Sequence, residues 1–79
     1  MKRILIAEDD PDIAALERDY LQLNGMSADI ESDGSMALEK LLGRGYDVLV
    51  VDLMLPGCSG FDIIREMRGQ LEIPVIVVS

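Results

Sequence analysis

Four short apolar runs, separated by stretches whose apolar residues recur every three or four positions, restrict this chain more than any other feature. The runs are Ile4-Leu5-Ile6-Ala7, Met26 to Ile30, Val48-Leu49-Val50-Val51 and Val75-Ile76-Val77-Val78. The first, third and fourth are continuous, the habit of a strand covered on both faces. In the second, Met26, Ala28 and Ile30 alternate with Ser27, Asp29 and Glu31, the habit of a half-buried edge strand. Strand, helix, strand, helix, strand, helix, strand is the pattern of an α/β domain: an open parallel sheet with right-handed crossovers and helices on both faces.

The connecting segments carry helix start and stop signals. Asp10 fits the cap and Pro11 the first position of a helix whose apolar residues are Ile13, Leu16, Tyr20, Leu21 and Leu23, stopped by Asn24-Gly25. Asp33-Gly34 breaks the second strand. Ala37, Leu38, Leu41 and Leu42 form one face of a second helix, ended by Gly43-Arg44-Gly45. Ser59 followed by Asp62 resembles a capping box before Ile63, Ile64 and Met67, and Pro74 stands at the start of the last strand. At 79 residues the chain is one domain, able to bury only about 60–65% of the surface its unfolded form exposes.

Charge and residue types exclude whole classes of function. Fifteen acidic residues against seven basic ones disfavour direct contact of this segment with nucleic acid or an anionic membrane and favour cations and basic partners. With no histidine and one cysteine, Cys58, a conventional zinc site, a histidine-dependent triad and an internal disulfide are excluded. No run approaches the roughly 18 apolar residues of a membrane span, and no signal peptide precedes the first strand, so the expected location is cytoplasmic.

What remains is carboxylate chemistry. Asp52 and the Glu8-Asp9 pair both stand at the carboxyl end of an apolar strand, and in an open α/β sheet those ends line one crevice. Three acids meeting there must be neutralised by raised pKa values or by a cation, and an all-oxygen cluster suits a hard ion such as Mg²⁺. Asp9 and Asp10 taken alone are equally served by N-cap or helix-dipole roles, and Asp12 and Asp62 are better read that way. Asp52 differs, because Leu53-Met54-Leu55-Pro56 separates it from the next helix. Ser79 ends the last strand at the same edge, where its hydroxyl could reach an anion held over Asp52 or simply finish the strand. No P-loop, G-x-G-x-x-G or EF-hand spacing is present.

Three stretches together, "ILIAEDD", "VDLMLPGCSG" with proline four and glycine eight residues after the aspartate, and "IPVIVVS", resemble the receiver domain of two-component response regulators. The wording around Asp52 is most similar to regulators carrying a winged-helix DNA-binding output domain. The resemblance implies a flavodoxin-like (βα)3β fold over residues 1–79 with strand order 2-1-3-4. It implies a regulatory phosphoacceptor rather than an enzyme. Asp52 would take a phosphoryl group from a sensor histidine kinase, Glu8, Asp9, Asp52 and the Met54 backbone carbonyl would hold Mg²⁺, and Ser79 would be the switch hydroxyl.

A complete receiver has five strands and five helices, so the resemblance further implies a fragment without the fourth helix, the fifth strand with its lysine, and the fifth helix, with phosphoryl transfer impaired. Lys2 and Lys40 do not replace that lysine, one lying at the opposite end of strand 1 and the other within helix 2. An apolar edge at strand 4 is a pairing surface, and self-association through it, or by exchange of elements, is expected. The alternative is a receiver-derived association module without phosphoryl chemistry. A metal-dependent aspartyl phosphatase ranks last, because "EDDPD" lacks its D-x-D register.

Overall fold

The computed structural model describes residues 1–43 and 45–78. Seven elements follow one another as β1 (Arg3–Ala7), α1 (Pro11–Leu23), β2 (Ser27–Glu31), α2 (Gly34–Gly43), β3 (Val48–Val51), α3 (Gly60–Arg68) and β4 (Val75–Val77). The strands form one parallel sheet in the order β2-β1-β3-β4. Ile4 is level with Ala28 on one side and Val48 on the other, and Val50 is level with Ile76.

Alternation along the strands sorts the core into two layers. Leu5, Ala7, Leu49 and Val51 face α2 and α3, where they pack with Ala37, Leu41, Ile63 and Met67. Ile4, Ile6 and Val50 face the other way, with Ala28 and the partly buried Leu21 of α1. The open parallel α/β fold expected from the alternating pattern is the one observed. Each fully buried Leu or Ile contributes about 1.5–3 kcal/mol of transfer free energy, so the two strands that are flanked on both sides carry most of the core.

The capping signals work as read. Asp10 Oδ1 accepts hydrogen bonds from the N–H groups of Asp12 (2.9 Å) and Ile13 (3.2 Å), with Pro11 opening the helix. Ser59 caps α3 by accepting from the Asp62 N–H at 3.2 Å, and its hydroxyl donates to Asp62 Oδ2 at 3.1 Å. The α1 stripe divides, because its five apolar residues span two adjoining helical faces and the sheet covers one. Ala14 and Leu21 lie against the sheet, whereas Ile13, Leu16, Tyr20 and Leu23 are exposed. β4 is the apolar edge expected of it, with Ile76 53% and Val77 50% exposed. It is the outermost strand of the described sheet and packs chiefly on β3.

Candidate functional site

Register brings the acids together. Ala7 is level with Val51, so the next residues, Glu8 and Asp52, leave the ends of β1 and β3 side by side. Their backbones extend the sheet by one residue, the Glu8 N–H donating to the Glu31 carbonyl (3.1 Å) and the Asp52 N–H to the Ala7 carbonyl (3.0 Å). Period-2 alternation carries Glu8 onward from Ile4 and Ile6, and Asp52 from Val50, so both carboxylates lie on the α1 side of the sheet.

One ligand oxygen from each of Glu8, Asp9 and Asp52 can be chosen so that all three lie within 4.8 Å of one another. Glu8 is 3% and Asp52 9% exposed, and Asp9 opens to solvent. Burial pushes the Glu8 carboxyl above its ordinary value of 4.5; the Asp10 N–H, 3.2 Å from Oε2, pulls it back, and the adjacent Asp52 and Asp9 carboxyls raise it again. An all-oxygen donor set of three carboxylates fits a hard divalent cation better than any softer metal.

The loop after Asp52 orients it. The Met54 N–H donates to Asp52 Oδ1 at 2.9 Å, while the Met54 side chain points to solvent. At the base of the loop the Gly60 N–H donates to the Leu53 carbonyl (3.1 Å). Cys58 is half-buried against the α2–α3 core layer, and burial with the nearby Asp62 and Glu66 charges pushes its thiol up. Ser79 lies outside the described residues. Lys40 pairs with Glu31 at 3.0 Å, in keeping with its exclusion from a site role.

One acid escaped the sequence reading. Glu17 shares the sheet-facing side of α1 with Ala14 and Leu21, and its Oε1 is buried without a hydrogen-bond partner among the described residues. Burial raises its pKa, and the Asp52 charge raises it further. Positions 14, 17 and 21 share one helical face by i, i+3, i+7 spacing, but the adjoining face carries Ile13, Leu16, Tyr20 and Leu23, so spacing alone does not say which of the two the sheet takes.

Raised acids fix the sign of a pH effect. A carboxyl that holds its proton more tightly in the folded chain than in the unfolded one contributes stability fully present below the unfolded value, and that stability is lost as pH rises through the folded value. In EDTA, the contribution of Glu8 and Glu17 should lower the urea midpoint as pH rises above about 4.5. Glu8→Gln should flatten that fall and stabilise the metal-free protein at pH 7 by on the order of 1–2 kcal/mol. An unchanged midpoint in Glu8→Gln would show that Glu8 is adequately compensated.

Comparison with known proteins gives one consistent result. The family model described as the response regulator receiver domain matches residues 4–79. The chain is 37% identical over 79 residues to the response regulator ArlR of Staphylococcus epidermidis, covering all of this chain and 36% of that protein. It is 40% identical over 78 residues to the transcriptional regulatory protein RprY of Bacteroides fragilis, covering 98% of this chain and 33% of that one. The chain thus spans about a third of the length of these curated relatives. Among solved structures, the receiver domain of the Francisella response regulator 1452 superposes with a TM-score of 0.92 at 32% identity, over 98% of this chain and 64% of that chain. The BeF3-activated receiver domain of Klebsiella pneumoniae RstA gives 0.91 at 33% identity, over 96% and 65%.

Proposed function

The chain belongs to the response regulator receiver domain family, and on that premise we propose that residues 1–79 act as a phosphoacceptor unit in which Asp52 receives a phosphoryl group from a phosphohistidine of a sensor kinase. The observation that carries this reading is the convergence of Glu8, Asp9 and Asp52 within 4.8 Å at adjoining strand ends. The proposed unit is regulatory: the protein's output is a change in its own charge at one residue.

Asp52 is the nucleophile. The Met54 N–H holds Oδ1, and the other carboxylate oxygen attacks phosphorus; an O–P bond forms, the N–P bond of the donor breaks, and the histidine nitrogen keeps the electron pair. Burial of Asp52 at the sheet edge limits competing water. Glu8, Asp9, Asp52 and the Met54 carbonyl would hold Mg²⁺, whose contribution when bound is to offset the charge on the phosphoryl oxygens. Ser79 is assigned the hydroxyl that contacts the transferred group. An output domain for DNA belongs to the wider protein, in line with the transcriptional relatives, and no described helix is long and apolar enough to cross a membrane.

Removing the exposed ligand tests the site with little structural disturbance. Asp9→Ala should abolish the Mg²⁺-dependent shift of the Met54 amide resonance and reduce labelling by acetyl phosphate to background. A specific Mg²⁺ response that survives in Asp9→Ala would refute the ligand assignment. The exposed apolar residues of β4 and the adjoining Val78 further support self-association through that strand's outer edge. Sedimentation equilibrium at tens of micromolar should therefore give a mass above the monomer, and a well-folded monomer would refute the pairing.

A further inference from the structure

The loop between β3 and α3 is held at its apex as well as at its base. At the start of α2 the Gly34 N–H donates to the Pro56 carbonyl at 2.8 Å. A Cβ at Gly34 would lie 1.6 Å from the Cys58 carbonyl oxygen and 2.6 Å from its carbonyl carbon. Backbone meets backbone there, and any side chain would force the Cys58 carbonyl to retreat by more than an ångström. The surface that Gly34 offers is itself rigid. Asp33 Oδ1 accepts from the Ser35 N–H (2.9 Å) and the Met36 N–H (3.0 Å), and the Asp33 carbonyl accepts from the Ala37 N–H (2.9 Å). Ala37 and Leu41 then anchor the helix in the core.

We propose that Gly34 is a positioning residue for the Asp52 site: its backbone braces Pro56 to Cys58, and so fixes where Met54 presents its N–H to Asp52 and its carbonyl to the cation. The inference rests on the reading of Asp52, Glu8 and Asp9 as a Mg²⁺-dependent phosphoacceptor site. Pro56 is two residues from Met54, so movement at the apex has no flexible spacer in which to dissipate. Misplacement of about 1 Å is enough to cost large factors at a reacting centre.

The experiment compares Mg²⁺ affinity in the full chain, followed by amide resonances of Met54 and Asp9, for the parent, Gly34→Ala, Gly57→Ala and Gly43→Ala. Gly57 (φ +82°) meets the brace from the loop's side; a Cβ there would face the Asp33 carboxylate at 2.9–3.0 Å and Ser35 Oγ at 3.1 Å, side-chain ends that can yield. A Cβ at Gly43 would meet nothing within 4 Å. Gly34→Ala should weaken Mg²⁺ binding about tenfold, as loss of a supporting contact around a metal site does, and shift the metal-free Met54 resonance. Gly57→Ala, strained by its left-handed backbone as well as by those contacts, should weaken it several-fold, and parental affinity there would overturn the brace even should Gly34→Ala fail to fold. Gly43→Ala should match the parent. A merely structural role would lower the urea midpoint and leave the affinity of the folded protein unchanged, and parental affinity in the folded variants would overturn the brace. If Asp9→Ala loses the Mg²⁺ response while the glycine variants keep it, the acidic site stands and the brace falls. A parent without any Mg²⁺ response overturns both.

Discussion

Asp52→Asn is expected to eliminate acyl-phosphate formation while making the metal-free protein more stable. Incubation with acetyl phosphate and Mg²⁺ should label the parent with a hydroxylamine-labile phosphoryl group and leave the variant at background. Asparagine keeps an oxygen that can accept the Met54 N–H, so the loop need not rearrange. It removes one of three converging charges, so repulsion with Glu8 falls and the unfolding free energy in EDTA should rise by on the order of 1 kcal/mol, read as a higher urea midpoint. Lost chemistry with gained stability is what distinguishes a residue kept for its reaction from one kept for the fold. Persistent labelling of Asp52→Asn would move the acceptor elsewhere, and a fall in stability would mean that Asp52 is held by compensating contacts.

The second large effect concerns the core. Leu5 is fully buried in β1, facing the α2–α3 layer, and Leu5→Ala should cost about 2–5 kcal/mol through lost transfer energy and the cavity left behind. Since small domains hold only about 5–15 kcal/mol in total, this is a large share of the stability, read as a markedly lowered urea midpoint by circular dichroism. Leu16→Ala is the matched comparison. Leu16 is 72% exposed on α1, so its truncation should change stability by no more than about 0.5 kcal/mol. A large loss at Leu16 would mean that a partner surface covers it in solution.

What the sequence disclosed depended on which interactions are local. Asp10 with Pro11, and Ser59 with Asp62, cap helices through neighbours two or three positions away, so their roles were legible directly. The convergence of Glu8, Asp9 and Asp52 was legible through a rule about strand ends, because parallel pairing puts every carboxyl end on one edge. The inward direction of Glu17 and the exposure of Leu16 and Tyr20 were not. They depend on which of two adjoining helical faces the sheet takes, a tertiary choice that apolar spacing leaves open when both faces carry apolar residues. The contact of Gly34 with Cys58 was hidden for a similar reason: a glycine beside an aspartate reads as a turn until the backbone it touches is known.

The order of strands in the sheet also sets an order in time. β1, the first strand made, lies between β2 and β3, and Ile4 is level with Val48. During synthesis at about 5–20 residues per second, the most deeply buried strand therefore waits several seconds with one hydrogen-bonding edge unmatched. Every strand pairing in this sheet is of the long-range kind that slows folding. The nascent chain thus carries the apolar stretch Ile4 to Ala7 with an open edge, the kind of surface that mispairs, until β3 emerges.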